Sequence, residues 1–447
     1  MATMGRIKSV ISLLFLLGVA LQGCIVQGGG GLTRGSFPEG FVFGTASSAY
    51  QHEGAVKADG RGQTIWDKFA HTFGKIIDFS NADVAVDQYH RYEEDVQLMA
   101  DMGMDAYRFS IAWSRILPNG TGQVNQAGID HYNKFIDALL AKGIQPYVTL
   151  YHWDLPQALE DSYTGWLNKQ IVNDYAVYAE ICFKAFGDRV KHWITFNEPH
   201  TVAVQGYDSG LQAPGRCSVL LHLYCRSGNS GTEPYIVAHN MILAHATVSD
   251  IYRKKYKAAQ NGQLGIAFDV MWFEPMTNTT IDIEAAKRAQ EFQLGCLQER
   301  KTDWRPGKFG TSATLLHYTA NSIWLYIVPS GMRSLMNYVK QRYNSPPVYI
   351  TENGMDDGNS PFTSIKDALK DSKRIQYHND YLTDLAASIK EDGCDVRGYF
   401  AWSLLDNWEW TAGYTSRFGL YFVDYKDNLK RYPKNSVQWF KNLLSSS

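Results

Sequence analysis

Trp193-Ile194-Thr195-Phe196-Asn197-Glu198-Pro199 runs apolar and β-prone and then breaks, at its carboxyl end, into an amide and a carboxylate. Val348-Tyr349-Ile350-Thr351-Glu352-Asn353-Gly354 repeats the pattern 150 or so residues later, about the span of several β/α units. Working outward, further short apolar runs occur at Phe41 to Thr45, Ala106 to Ser110, Pro146 to Tyr151, Leu264 to Phe268 and Val396 to Trp402. Between them lie stretches with apolar residues every third or fourth position, such as Arg91 to Met102, Asp130 to Lys142, Gln170 to Phe186 and Ile375 to Glu391. Strands alternating with amphipathic helices predict a parallel sheet. The α/β class follows, as a single (β/α)8 barrel. A sixth strand is wanted between Ile266 and Val348, where Thr314-Leu315-Leu316-His317-Tyr318 is the only short apolar candidate, followed by a helix-like stretch from Ser322 to Tyr343. In such a barrel the loops after the strand ends carry the chemistry.

The balance of 43 basic and 45 acidic residues leaves a net charge of −2 with no basic stripe, which argues against a nucleic-acid partner. Arg6 and Lys8 precede the apolar run Val10 to Ala20 and a glycine tract at Gly28 to Gly31, so residues 1–27 read as a secretory signal peptide and 32–447 as the barrel domain. The apolar run is shorter than the roughly 20 residues a membrane span needs, so no membrane association is expected after its removal. A secreted protein, extracellular, apoplastic or vacuolar, is the expectation. Cys217 and Cys225, in a Gly, Ser and Arg rich loop, would pair as a disulfide in an oxidising compartment, with metal binding as the rival. Cys182, Cys296 and Cys394 read as buried free thiols. Asn119-Gly120-Thr121 and Asn278-Thr279-Thr280 fit the N-glycosylation pattern.

Polar and aromatic residues past the strands include Gln51 and Glu53, Arg108, His152 and Asp154, Asn197 and Glu198, Glu352, then Trp402, Glu409 and Trp410. Hydroxyl-bonding side chains, aromatic faces and two carboxylates suit a sugar site. Cleavage of an acetal needs one carboxyl to protonate the leaving oxygen and another to attack the anomeric carbon. A Glu at a strand end is more often a rim salt bridge, a lone His more often a core residue, and most of the 12 tryptophans must serve ordinary packing.

Phe41-Val42-Phe43-Gly44-Thr45-Ala46, Ala49-Tyr50-Gln51-His52-Glu53-Gly54, Tyr107-Arg108-Phe109-Ser110, Tyr151-His152-Trp153-Asp154-Leu155-Pro156, Thr195 to Pro199, Ile350 to Gly354 and Trp402 to Trp410 follow one another in order. Together they resemble family 1 glycoside hydrolases, most closely the plant β-glucosidase type. The resemblance implies a retaining exo-β-glucosidase acting by double displacement on terminal β-D-glucosyl residues of glucosides or short oligosaccharides. It makes Glu198 the acid and base and Glu352 the nucleophile, with Arg108 beside it in support. It assigns Gln51, His152, Asn197, Trp402, Glu409, Trp410 and Phe418 to the sugar, and Tyr318 to the site as a possible replacement for a family tyrosine. No cofactor or metal is implied. Glu198 stands where plant thioglucosidases look glutamine-like, which favours O-glycosides, and a charged Glu409 would disfavour a 6-phosphate. Between Cys296 and about Ala320 the resemblance fails, so the sixth β/α unit is expected to be abbreviated. The alternative reading is a catalytically impaired or sugar-binding relative.

Overall fold

A computed structural model describes residues 31–218, 225–294, 321–322 and 325–445. Seven parallel strands form one sheet: β1 (Val42–Ala46), β2 (Ala106–Ser110), β3 (Gln145–Thr149), β4 (His192–Asn197), β5 (Gln263–Ala267), β6 (Val348–Asn353) and β7 (Val396–Trp402). Their order is β5-β4-β3-β2-β1-β7-β6, so the first and last strands of the sequence pair and the sheet curls almost shut. The predicted parallel α/β barrel is therefore the observed fold, open among the described residues only between β5 and β6. Thr314 to Tyr318, the candidate sixth strand, lies outside the described residues, as do the signal segment and Cys296.

Helices α1 (Gln88–Met102), α2 (Gln126–Ala141), α3 (Gln170–Phe186), α4 (Pro199–Tyr207), α5 (Glu233–Ile251), α6 (Thr280–Leu294), α7 (Pro329–Tyr343), α8 (Ser372–Lys390) and α9 (Asn435–Ser445) cover the outside. The helix read from Ser322 instead begins at Pro329, whose fixed φ and missing N–H suit the first helical turn and no later one. Other predicted ends move by a few residues, as from Arg91 back to Gln88 in α1.

β2 is buried throughout, and β1, β3 and β4 are buried except at their first residues, the near-continuous pattern of strands covered on both faces. Trp66, Trp113, Trp166, Trp193 and Trp408 are fully enclosed, so packing does claim many of the aromatics. The edge strands differ. β5 alternates exposed and half-buried residues up to Ala267, and β6 buries only Ile350.

Two irregularities fall at the ends of the strands that carry the paired carboxylates. The register of β4 on β5 shifts between Ile194 and Asn197, and that of β6 on β7 shifts between Ile350 and Asn353. Bulges at a barrel rim turn a strand end and re-aim its side chains. Gly354 follows the second one, where a Cβ would lie 1.9 Å from the Trp402 carbonyl oxygen, so only glycine lets the two strand ends approach.

Candidate active site

Arg108 organises the mouth of the barrel. Its side chain is fully buried, and its guanidinium reaches three other strands. Nε donates to Thr149 Oγ1 on β3 (3.2 Å), Nη2 to Asn197 Oδ1 on β4 (2.6 Å), and Nη1 to both the Thr351 carbonyl (3.3 Å) and the Glu352 carboxylate on β6. The arginine expected beside Glu352 is thus in direct contact with it as an ion pair.

Because Asn197 Oδ1 is taken by Arg108, its amide nitrogen donates to His152 Nε2 at 3.1 Å. That bond makes Nε2 the acceptor and leaves the proton on His152 Nδ1, which is buried with no protein partner among the described residues. The ring lies between Trp402 (centroids 6.1 Å apart, 23° between planes) and Trp410 (5.9 Å, 20°). Burial, then the Arg108 charge, holds the imidazole pKa well below its usual value, so it is a neutral ring whose donor is left unused by the described residues.

Glu198 sits between β4 and α4 with φ 47° and ψ 62°, a left-handed conformation that costs a non-glycine residue about 1 kcal/mol or more. Its N–H donates to the Ala267 carbonyl at the end of β5 (2.9 Å), and Pro199 starts α4 directly behind it. Trp153 (φ 74°) and Trp410 (φ 51°) share this strained conformation and pack together, centroids 4.5 Å apart. Such residues cluster where a site over-determines its backbone.

The two carboxyls have different surroundings. Burial pushes Glu352 up, and the Arg108 guanidinium offsets part of this, leaving it raised but with a cation beside it. Glu198 is held well above the ordinary carboxylate range, first by burial, then by the charge on Glu352, then by Asp269. Glu198 is therefore the one that keeps its proton while Glu352 is the one paired with a cation. Arg108→Lys retains the charge but loses the fork that serves Asn197 and Glu352 together. It is expected to shift the acid limb of the kcat/KM profile to higher pH and to lower kcat/KM by roughly tenfold or more. An unmoved limb in a pH-rate profile would rule this out.

At the far side, Gln51 Nε2 donates to Glu409 Oε2 and Asn407 Oδ1, both at 3.0 Å, while Gln51 Oε1 accepts from Ser48 Oγ at 2.7 Å. Asn407 was not among the sequence candidates, although it lies inside the Trp402 to Trp410 segment that drew attention. Burial, with the nearby Asp356 and Glu352 charges, pushes the Glu409 carboxyl up to about 8. At neutral pH it is mostly protonated in the unliganded pocket, so repulsion of a 6-phosphate by Glu409 loses the charge it depended on.

A folded-state pKa raised above the unfolded value gives stability that is complete below the unfolded pKa and is lost as pH rises through the folded one. For Glu409 that window runs from the ordinary 4.5 to about 8. Glu409→Gln cannot ionise. It is expected to melt above the parent chain at about pH 9, with the gap closing toward pH 4.5, while KM for a glucoside rises. Thermal melts across that range check the sign.

Other candidates have structural settings. Glu53 is buried and accepts from Arg115 Nε and the Tyr132 hydroxyl, both at 2.6 Å. Phe418 is buried with Trp402, Phe400 and Tyr147 in the barrel interior. Asp154 is buried with both carboxylate oxygens lacking side-chain partners and its pKa pushed up to about 7 by burial. Tyr318 lies outside the described residues. Cys217 and Cys225 form a disulfide in the loop after α4, and Cys182 and Cys394 are buried thiols. Asn119 and Asn278 are exposed.

The sequence model of glycosyl hydrolase family 1 matches residues 33–314 and 305–447, together spanning almost all of the described barrel. The chain belongs to glycosyl hydrolase family 1. Among its family 1 relatives, rice β-glucosidase 6 is 72% identical over 507 aligned positions, covering 99% of this chain and 97% of the relative. Rice β-glucosidase 34 is 70% identical, covering 99% of each. The solved structure of a glutamate-to-glutamine variant of rice Os3BGlu6 β-glucosidase in a covalent complex with glucose superposes with a TM-score of 0.89 at 72% identity, over 93% of this chain and 100% of that one. An alignment of 507 positions against 447 residues leaves at least 60 positions without a counterpart here. The two matched pieces of the family 1 model meet at residues 305–314, inside the stretch where the motif resemblance fails.

Proposed function

We propose that this family 1 enzyme hydrolyses β-D-glucosides from their non-reducing end with retention of configuration. The observation that carries the reading is the unequal pair of strand-end carboxyls, Glu352 paired with Arg108 and Glu198 kept protonated by burial and by Glu352 itself. In the first step Glu352 attacks the anomeric carbon, the glycosidic C–O bond breaks, and the Glu198 proton goes to the departing oxygen. Once Glu352 is esterified its charge is gone, and one cause of the raised Glu198 pKa goes with it. Glu198 then takes a proton from water as the hydroxyl attacks the anomeric carbon, and Glu352 leaves as a carboxylate. The covalent glucose complex recorded for the rice Os3BGlu6 variant supports such an intermediate, and the relatives named as β-glucosidases support the sugar.

Gln51, Glu409 and the His152 Nδ1–H would bind hydroxyls, with Trp402 and Trp410 offering faces to the ring. Route to the cell exterior through residues 1–27 belongs to the same proposal, and a Cys217–Cys225 disulfide fits an oxidising compartment. Proton NMR of sugar freshly released from an aryl β-glucoside tests the reaction. The β anomer appearing first is the expected result. The α anomer would overturn retention, and no release from a folded chain would overturn hydrolysis.

A further inference from the structure

Beside Glu198 lies a second pair of titratable residues that the mechanism above does not use. His200, in the first turn of α4, meets Asp269 on the loop after β5, with Nδ1 2.8 Å from Asp269 Oδ2. The same two elements are joined at the Glu198 N–H, which donates to Ala267, two residues before Asp269. Both side chains are largely enclosed, and Asp269 Oδ1 is buried with no protein partner among the described residues. The edge of the His200 ring packs against Phe292 of α6, centroids 6.2 Å apart.

We infer that Asp269 and His200 act as a positioning pair that sets how readily Glu198 gives up its proton. The inference rests on the acid and base role proposed for Glu198. Four groups act on that carboxyl: the charges of Glu352 and Asp269 favour its protonated form, while the Thr201 hydroxyl and the Arg108 guanidinium favour its ionised form. Glu352 loses its charge when it becomes glycosylated, but Asp269 does not. An unpaired Asp269 would therefore go on holding the Glu198 proton during the step in which Glu198 must act as a base. His200 answers this. Its bond to Asp269 raises its own pKa, so it carries a charge at pH values where an isolated imidazole begins to lose it. The charged ring opposes the Asp269 field, so the charge on Glu352, which glycosylation removes, is left as the influence on the Glu198 proton that changes between the two steps.

Carbon-13 NMR titration of the full chain labelled at glutamate carboxyls tests this, with the Glu198 signal identified by its loss in Glu198→Gln. Asp269→Asn is expected to lower the Glu198 midpoint by about one pH unit, and His200→Gln to raise it. His200→Asn stands beside His200→Gln so that a folding failure in one does not decide the matter. A midpoint unmoved by the His200 replacements, or by Asp269→Asn, overturns the pair. Because the titration needs no turnover, failure of the hydrolytic reading would show in the sugar-release experiment and not here.

Discussion

Glu352→Gln is expected to gain no mass on incubation with a 2-deoxy-2-fluoro β-glucoside bearing a good leaving group, whereas the unaltered chain gains one fluoroglucosyl unit. The fluorine slows both steps, and the activated leaving group restores only the first, so the ester at Glu352 accumulates. The amide is a poor nucleophile and cannot form that ester, and kcat on ordinary glucosides should fall by roughly 10⁴-fold or more. The amide also removes the anion that Arg108 pairs with, so a thermal melt must accompany the mass measurement. A folded Glu352→Gln chain that still acquires the adduct would move the nucleophile elsewhere. If the unaltered chain is folded yet stays unlabelled, the mouth of the barrel is not competent and the impaired-relative reading regains its place.

Glu198→Gln should separate the two half-reactions. A dinitrophenolate leaves without a proton, so the first step survives with such a substrate. The second lacks its base, and the glucosyl enzyme should build up with a burst of phenolate. A glucoside with a poor leaving group should lose roughly 10²- to 10⁴-fold in kcat/KM, the usual scale of a general acid. Azide, a nucleophile with no proton to lose, should restore turnover of the activated substrate and deliver a β-glucosyl azide. Equal losses on both substrates with no burst and no azide effect would remove Glu198 from the acid and base role.

The barrel was legible because period-2 and period-3.6 patterns alternate along the chain and each strand is short, apolar and bounded. Glu198 and Glu352 stood out because a carboxylate directly after such a run breaks its pattern. What the pattern could not carry was orientation. Nothing in the order of residues 193–199 says that Glu198 adopts φ 47° or that a register shift precedes it. The surroundings of the motif residues were hidden as well: Phe418 is buried with Trp402, Phe400 and Tyr147, and Glu53 accepts from Arg115 and Tyr132. Asp269 and His200 were passed over for a related reason. They are 69 residues apart and meet only because β5 lies beside β4. The neutral state of Glu409 was equally hidden, since a formal charge count takes no account of burial.

Among the described residues β6, which carries Glu352, is laddered to the sheet on one side only, through β7. From inside the barrel it is tied by side chains: Arg108 reaches across from β2 and grips both the Thr351 carbonyl and Glu352, and Tyr147 of β3 meets Tyr349 with ring centroids 5.6 Å apart. The strand that carries the attacking atom is therefore moored like a boat at a single quay, with lines thrown across the dock from Arg108 and from Tyr147. Amide exchange in Val348–Asn353 should report that mooring, slowing when a glucosyl group occupies Glu352 only if the sugar's other contacts replace the line that esterification cuts.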